Sequence, residues 1–360
     1  MKFIHIADMH FDTPFKNLGT KNNLGQLRRI EQREVFKKII NYIKINNIEY
    51  LFISGDLYEN QYIRKSTIEY INNLFKEIPN TKIYISPGNH DPYIKNSMYE
   101  SFEWAENVKI FTSKIERIEE KDIDIYGVGF NDFYATNLNI DNIEIKNKNK
   151  INILITHGAL NQSEEQQLLY NPLNENKLKE LGFDYVALGH IHKPYYNEET
   201  NQRIVYPGST ISMGFDELGK HGFISGNITK QGIKIEFIPI ESKEFKEMKL
   251  EVSKFKDMDE LIETINNLKI DNNNFYKIIL TGNRKFEIDI LNVINNNFNK
   301  NILKIKDETE LEFNIESNRN ENTLKGIFIN ELYEELNNKN ITEKEFKKIL
   351  EIGLSALDSK

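Results

Sequence analysis

A chain of 360 residues, 39% of them hydrophobic and 28% charged, is long enough to bury a full core and more than one domain. It has no cysteine, which excludes a disulfide framework, a thiolate nucleophile and a cysteine metal site; any bound metal must sit on oxygen and imidazole nitrogen. The net charge of −8 argues against a broad nucleic-acid-binding surface, but it splits into −3 over residues 1–240 (28 Lys and Arg against 31 Asp and Glu) and −5 over 241–360 (19 against 24).

The opening MKFIHIADMHFD reaches Asp8 too early for a secretory leader. No apolar run approaches the roughly 18 residues of a membrane span, so the expected setting is cytoplasmic, without membrane contact. Short β-branched and aromatic runs then recur: Phe3–Ala7, Tyr50–Ser54, Lys82–Ser86, Ile123–Val128, Ile151–Thr156, Tyr185–Leu188, Arg203–Tyr206 and Gly222–Ile228. Helical spacing appears over Leu27–Ile45 and Ser66–Ile78. Strands alternating with helices imply a layered α/β architecture, and the sparser helices after Ile123 imply that part of the sheet is antiparallel. Arg28, Arg29, Arg33, Lys37 and Lys38 on the first helix read as a solvated basic face.

Near residue 240 the texture changes: no histidine occurs in 241–360, and glycine falls to Gly282, Gly326 and Gly353. Met258–Leu268 reads as helix, Tyr276–Leu280 and Asn301–Lys306 as strands, and Phe286–Val293 fits either type. Leu324–Asn337 and Thr342–Leu354 read as helices. The expected division is 1–240, 241–335 as a smaller α/β domain, and 336–360 as a helical tail that could contact a partner.

The histidines carry the chemistry. His10 in IADMH, His90 in PGNHD, His157 in LITHG, and His190 and His192 in ALGHIH all follow strand-like runs, as does Asp56 in FISGDL. Ligands of α/β sheets gather where strands end, so these positions can converge. Asp8 and His10, like His190 and His192, are two apart, which in an extended chain places both side chains on one face. The set Asp8, His10, Asp56, Asn89, His157, His190 and His192 exceeds one octahedral ion and suits two ions sharing a carboxylate. Such a pair can clamp a phosphoryl centre and acidify water. Asn89 is the neutral oxygen ligand, and His90 is left to donate a proton.

These residues resemble the calcineurin-like metallophosphoesterases, whose pattern D-x-H, G-D, G-N-H-D/E, H-G and G-H-x-H is met by Asp8-Met9-His10, Gly55-Asp56, Gly88-Asn89-His90-Asp91, His157-Gly158 and Gly189-His190-Ile191-His192. The resemblance covers about residues 1–240. It implies a two-sheet sandwich flanked by helices, with one metal on Asp8, His10, Asp56 and His192 and the other on Asp56, Asn89, His157 and His190. It makes His90 the general acid or a transition-state stabiliser. The stretches KFIHIADMHFDTPF and YPGSTISMGFDELGKHGF further resemble the DNA-repair exonuclease branch of the SbcCD type and its YhaO-like relatives. That branch implies two divalent ions, manganese ahead of iron, magnesium or zinc. It also implies a cap domain, DNA as substrate in double-strand break repair or end processing, an SMC-like coiled-coil ATPase partner and a homodimer. The alternative is a small-molecule phosphodiesterase or nucleotidase with the same metal chemistry; a non-catalytic scaffold is disfavoured by the complete ligand set.

Two positions depart from the branch. Glu59 stands where archaeal and eukaryotic members carry a second histidine, and Asp12 replaces a glycine; Asp12 is expected to cap the following turn, with support of His10 as the other option. His5 is expected to be structural, His221 to lie at the surface of a Gly-rich loop, Tyr93 and Trp104 to pack locally, and Pro207-Gly208-Ser209 to form a turn near the site.

Overall fold

Continuous apolar runs become strands where both of their faces can be covered. In the computed structural model, which describes residues 1–15, 18, 23–160, 170–198, 202–312 and 323–358, the chain divides into Met1–Lys246 and Glu247–Lys360. The strands of the first unit are β1 (Lys2–Ile6), β2 (Tyr50–Ile53), β3 (Lys82–Ile85), β4 (Val108–Ile110), β5 (Glu116–Glu119), β6 (Ile123–Val128), β7 (Ile151–His157), β8 (Tyr185–Gly189), β9 (Ile204–Val205), β10 (Gly222–Thr229) and β11 (Gly232–Pro239). They form two sheets, ordered β11-β10-β1-β2-β3-β4 and β5-β6-β7-β8-β9.

Phe3, Phe52 and Tyr84 of the first sheet meet Ile125, Ile153, Tyr185 and Val205 of the second in one buried cluster, so the sheets pack face to face. Each such side chain stabilises by about 1.5–3 kcal/mol through removal from water. Helices α1 (Leu24–Asn46) and α2 (Lys65–Lys76) cover the outer face of the first sheet through Phe36, Ile39, Ile40, Ile43, Ile68, Ile71 and Phe75. The single-turn α3 (Met98–Ser101) and the short α4 (Glu175–Leu181) complete the α-helices described in this unit, and a 3-10 turn spans Ile140–Asn142. This is the helix-flanked two-sheet sandwich expected from the resemblance.

The expected antiparallel part is present: β10 pairs antiparallel with β1 and β11, and β5 with β6. β6, β7, β8 and β9, however, pair parallel although few helices connect them. Irregular segments packed through Leu138, Ile140, Ile143 and Leu173 cover the outer face of the second sheet where crossover helices would otherwise lie.

The basic face of α1 is solvated only in part: Lys37 and Lys38 are exposed, but Arg28 and Arg33 turn inward. Arg28 is fully buried, donating to Glu31 at 2.6 Å and to the Ser212 carbonyl at 2.7 Å, with its guanidinium 5.6 Å from the centre of the Phe245 ring. Arg33 donates to Asp12 and Thr67. Asp12 in turn accepts from the Arg64 amide that precedes α2 and from the Thr67 hydroxyl, so it anchors α2 and does not touch His10. Tyr93 and Trp104 pack against the helix-side core.

β12 (Phe245–Glu251), whose first two residues close the first unit, forms a three-stranded sheet with β13 (Phe275–Thr281) and β15 (Ile302–Asp307) of the second, in which β14 (Asn283–Arg284) pairs with β16 (Glu310–Leu311). Helices α5 (Met258–Asn266) and α6 (Ile290–Asn295) share its core through Leu261, Ile265 and Val293. The stretch 286–293, open between types, enters a helix only from Ile290, where the Asp289 carboxylate accepts two backbone N–H groups and caps it. The closing helices α7 (Leu324–Asn337) and α8 (Glu343–Asp358) bury Ile329, Leu332, Phe346 and Leu350 against each other. Among the described residues no helix is long and apolar enough to cross a membrane.

His5 lies between the sheets, as expected of a structural histidine. Its Nδ1 is 2.9 Å from the Tyr185 hydroxyl and its Nε2 2.9 Å from Ser54 Oγ, which donates onward to the Ala187 carbonyl. Burial pushes its pKa down to about 3. Below pH 6.5 the unfolded chain therefore takes up a proton that the fold refuses, and stability is lost as pH falls towards 3. Urea titrations of the wild type and His5→Gln should separate below pH 6, with the wild type losing about 1.4 kcal/mol more per pH unit. Parallel acid limbs would contradict this.

Candidate metal centre

Parallel β1, β2 and β3 end side by side in one sheet, and β7 and β8 in the other, so their carboxyl ends share an edge of the sandwich. Asp8 and His10 follow β1, Asp56 follows β2, Asn89 and His90 follow β3, His157 ends β7, and His190 and His192 follow β8. The side chains do not converge by strand alternation as the two-residue spacing implied. Asp8, His10 and Asp56 have φ of 51°, 48° and 51°, and His190 has φ of 106°. Left-handed backbone at non-glycine residues costs on the order of 1–3 kcal/mol each and persists only where surroundings impose it. Here the Asp8 amide donates to the Gly55 carbonyl at 3.1 Å and the His10 amide to the Asp56 carbonyl at 2.9 Å, zipping the two kinked loops together.

Close approach explains the glycines of the motifs. A Cβ on Gly88 would lie 2.3 Å from Asp56 Oδ1, and one on Gly55, whose φ is +86°, 2.4 Å from His157 Nδ1. Asp91, which the motif gives no role of its own, is the brace. Its buried carboxylate accepts from the amides of Asp56, Leu57 and Gly88 and from the Tyr99 hydroxyl on α3, at 2.6–2.9 Å.

The orientation of the imidazoles decides what the site can hold. His157 Nδ1 lies 2.8 Å from the Ser54 carbonyl, which can only accept, so Nδ1 carries the hydrogen. His10 Nδ1 is 2.8 Å from Glu59 Oε1, and His192 Nδ1 is 2.5 Å from Glu217 Oε1, carboxylates that fix the same tautomer. In the neutral rings every Nε2 is then a bare lone pair. His10 Nε2 faces His192 Nε2 at 3.1 Å, and His157 Nε2 faces Asn89 Oδ1 at 3.0 Å and Asp56 Oδ2 at 3.3 Å. Asp56 Oδ2 is also 3.8 Å from His10 Nε2, between the two groups. Acceptors aimed at one another in a buried place require a proton or a cation between them.

The titration behaviour has the same cause. Burial opposes the charged form of His157, but Asp56 outweighs it and lifts the imidazole to about 9. Burial likewise opposes charge on His192, and Glu217 and Asp8 lift it to about 9. His190, pressed by burial and by His157, falls to about 3. Burial works against the Asp56 carboxylate too, yet His157, His90 and His10 hold it well below its usual range. Asp8, His10 and His192 form one group that could hold a metal ion, and Asp56, His157 and His190 another. Asn89 supplies a further oxygen beside the second.

Sequence reasoning missed the supporting carboxylates. Glu59, noted only as a departure from the histidine pattern, spans His10 through Oε1 and His90 through Oε2, the latter at 3.0 Å. Glu217, in FDELG, accepts from Ser209 Oγ and the Met213 amide as well as holding His192. His221, expected at the surface, is buried: it contacts the Ser209 and Glu217 carbonyls at 2.9 and 3.0 Å and braces the loop that carries Glu217. Pro207-Gly208-Ser209 does turn beside the site, with Gly208 at φ +75° and the Ser209 amide donating to the His192 carbonyl.

Removing the carboxylate behind a coordinating imidazole typically weakens metal binding 10–100-fold. Glu217→Ala should therefore lower the affinity of the Asp8–His10–His192 group by about that factor in a Mn²⁺ titration calorimetry experiment. The Asp56–His157–His190 group should bind as before; equal weakening of both would contradict the separate support of His192.

A model of the calcineurin-like phosphoesterase family matches residues 1–194. The chain is similar to the uncharacterised metallophosphoesterase YhaO of Bacillus subtilis (strain 168), with 25% identity over 281 residues, 74% of this chain and 66% of the relative. It is also similar to the SbcD component of the nuclease SbcCD from Staphylococcus epidermidis, with 28% identity over 256 residues, 61% of this chain and 64% of that one. The SbcD component from Staphylococcus saprophyticus is 26% identical over 276 residues, 67% of this chain and 69% of its own. The chain thus spans about two thirds of the length of the curated relatives it matches. With more than half of its residues matched, from β1 through the histidines after β8, this chain belongs to the calcineurin-like phosphoesterase family of metal-dependent phosphoester hydrolases.

Proposed function

We propose that this protein is a DNA phosphodiesterase of DNA-end processing and double-strand break repair, dependent on two divalent cations, manganese foremost, and working with an SMC-like coiled-coil ATPase. The observation that carries the reading is the set of lone pairs facing one another across a buried carboxylate at the strand ends, with a proton donor beside it. In this reading Asp8, His10, Asp56 and His192 hold one cation, and Asp56, Asn89, His157 and His190 the other. When bound, the cations draw charge from the phosphoryl oxygens and acidify water.

The chain's own residues do the rest. Asp56 Oδ1 accepts the His90 amide at 2.8 Å and Glu59 grips His90 Nδ1, which leaves the ring, 44% exposed, open towards substrate on its other edge. Burial disfavours charge on His90, but Glu59 and Asp56 raise its pKa to about 9. At neutral pH it therefore carries a proton for the leaving oxygen. The naming of two relatives as components of a nuclease supports DNA as substrate and an ATPase as partner. So does the two-helix end of the second unit, which exposes Leu324, Ile327 and Ile352. A small phosphodiester is the second reading. It is favoured by the net charge of −8 and by the inward pairing of Arg28 and Arg33, which removes them from phosphate binding.

The test is digestion of end-labelled linear duplex DNA with Mn²⁺, comparing the wild type with His90→Ala. Wild-type protein should shorten the duplex, and the variant should be about 10²–10⁴-fold slower with unchanged manganese content. Intact DNA beside hydrolysis of a chromogenic diester in the same buffer would move the reading to small substrates.

A further inference from the structure

Two tyrosines extend from His190 towards solvent. The Tyr170 ring lies 5.0 Å from the His190 ring at an interplanar angle of 35°, and the Tyr134 ring lies 6.0 Å from Tyr170 at 34°. Tyr170 is half-buried, and Tyr134 is 58% exposed. Backbone hydrogen bonds hold the two tyrosines side by side. Ala135 and Tyr170 form a parallel bridge, the Asn171 amide donates to the Ala135 carbonyl at 2.5 Å, and the Ala159 amide donates to the Tyr170 carbonyl at 3.1 Å. The buried Asn171, at φ 49°, donates through Nδ2 to the His157 carbonyl at 2.8 Å, which ties the same segment to the metal centre.

We propose that Tyr134 and Tyr170 form a stacking subsite for an unpaired nucleobase of the strand whose phosphate lies at the metal centre. The proposal rests on the DNA reading above and names the part of the strand recognised beside the cut. Offset rings at these separations are in the range of favourable aromatic contact, and the outer face of Tyr134 is open to continue the series. A base satisfies that face whatever its identity, because each base has a π surface.

The test uses the full chain with Mn²⁺ and short single-stranded oligonucleotides in which one abasic sugar is moved along the strand. In the wild type, an abasic sugar at one register beside the cut should lower kcat/KM about tenfold, the effect of one stacked base. In Tyr134→Ala that register-specific loss should vanish, and in Tyr134→Trp it should persist. A phosphorothioate strand with 2-aminopurine at that register should lose fluorescence on binding the wild type and keep it on binding Tyr134→Ala. If abasic sugars at all registers are equivalent in the wild type, or Tyr134→Ala keeps the register-specific loss, the subsite is overturned while the DNA reading stands. Equal slowing of intact and abasic strands by Tyr134→Ala also overturns it, because the stack would then only support His190. If no strand is cut while methyl p-nitrophenyl phosphate is hydrolysed, the DNA reading fails and the subsite falls with it.

Discussion

One buried carboxylate, Asp91, holds the centre together. It takes three backbone amides and a tyrosine hydroxyl, and the amides come from two different loops, those after β2 and β3. Hydrogen bonds to a charged group contribute about 1.5–3 kcal/mol each, enough together to offset much of the cost of burying the charge. Burial and the neighbouring Asp56 push its pKa up to about 6, a measure of how tightly two carboxylates are packed here. Because Asp91 fixes the turn containing Gly55 and Asp56 against the turn containing Gly88 and Asn89, the oxygens of Asp56 and Asn89 have defined positions before any ligand arrives.

Around that brace the donors and acceptors are sorted. Backbone carbonyls and carboxylates occupy the Nδ1 sides of His10, His157 and His192, and lone pairs are left on the inner Nε2 sides. The sorting reaches into the sandwich. Ser54 accepts from His157 with its carbonyl, meets His5 with its hydroxyl and donates to Ala187, so a chain of hydrogen bonds from Tyr185 to the centre crosses between the sheets. Low dielectric strengthens such a network and equally raises the cost of leaving any member unpaired. The same polar chain thus registers the two sheets and aims the histidines.

The loop 209–221 does for the outer histidine what Asp91 does for the inner loops. Arg28, Ser209, Ser212 and His221 bind its backbone and Glu217, and Glu217 holds His192. Arg28 stands beside Phe245 at the end of the first unit, so a buried cation on α1, an aromatic ring and a glycine-rich loop are joined behind the site. Arg28, which read as part of a solvated helix face, and His221, which read as a surface residue, are in fact support for the centre.

Much of the architecture was legible because it depends on local pattern. Apolar runs such as Ile151–His157 and the helical spacing of α1 select strand and helix by periodicity, and the strand-end histidines, Asp56 and Asn89 announce themselves because side chains that bind cations are few in type. Tertiary structure alone decided three things. It set strand direction, since β6 to β9 pair parallel with only the short α4 and largely irregular segments between them. It set the means of convergence, since Asp8, His10 and Asp56 turn inward through left-handed backbone that only contacts between loops can impose. And it set the supporting carboxylates: Glu59, Glu217 and Asp91 are ordinary acidic residues in sequence, yet folding brings Glu59 to His90 and His10 from 31 and 49 positions away, Glu217 to His192 from 25, and Asp91 to the Asp56 amide from 35.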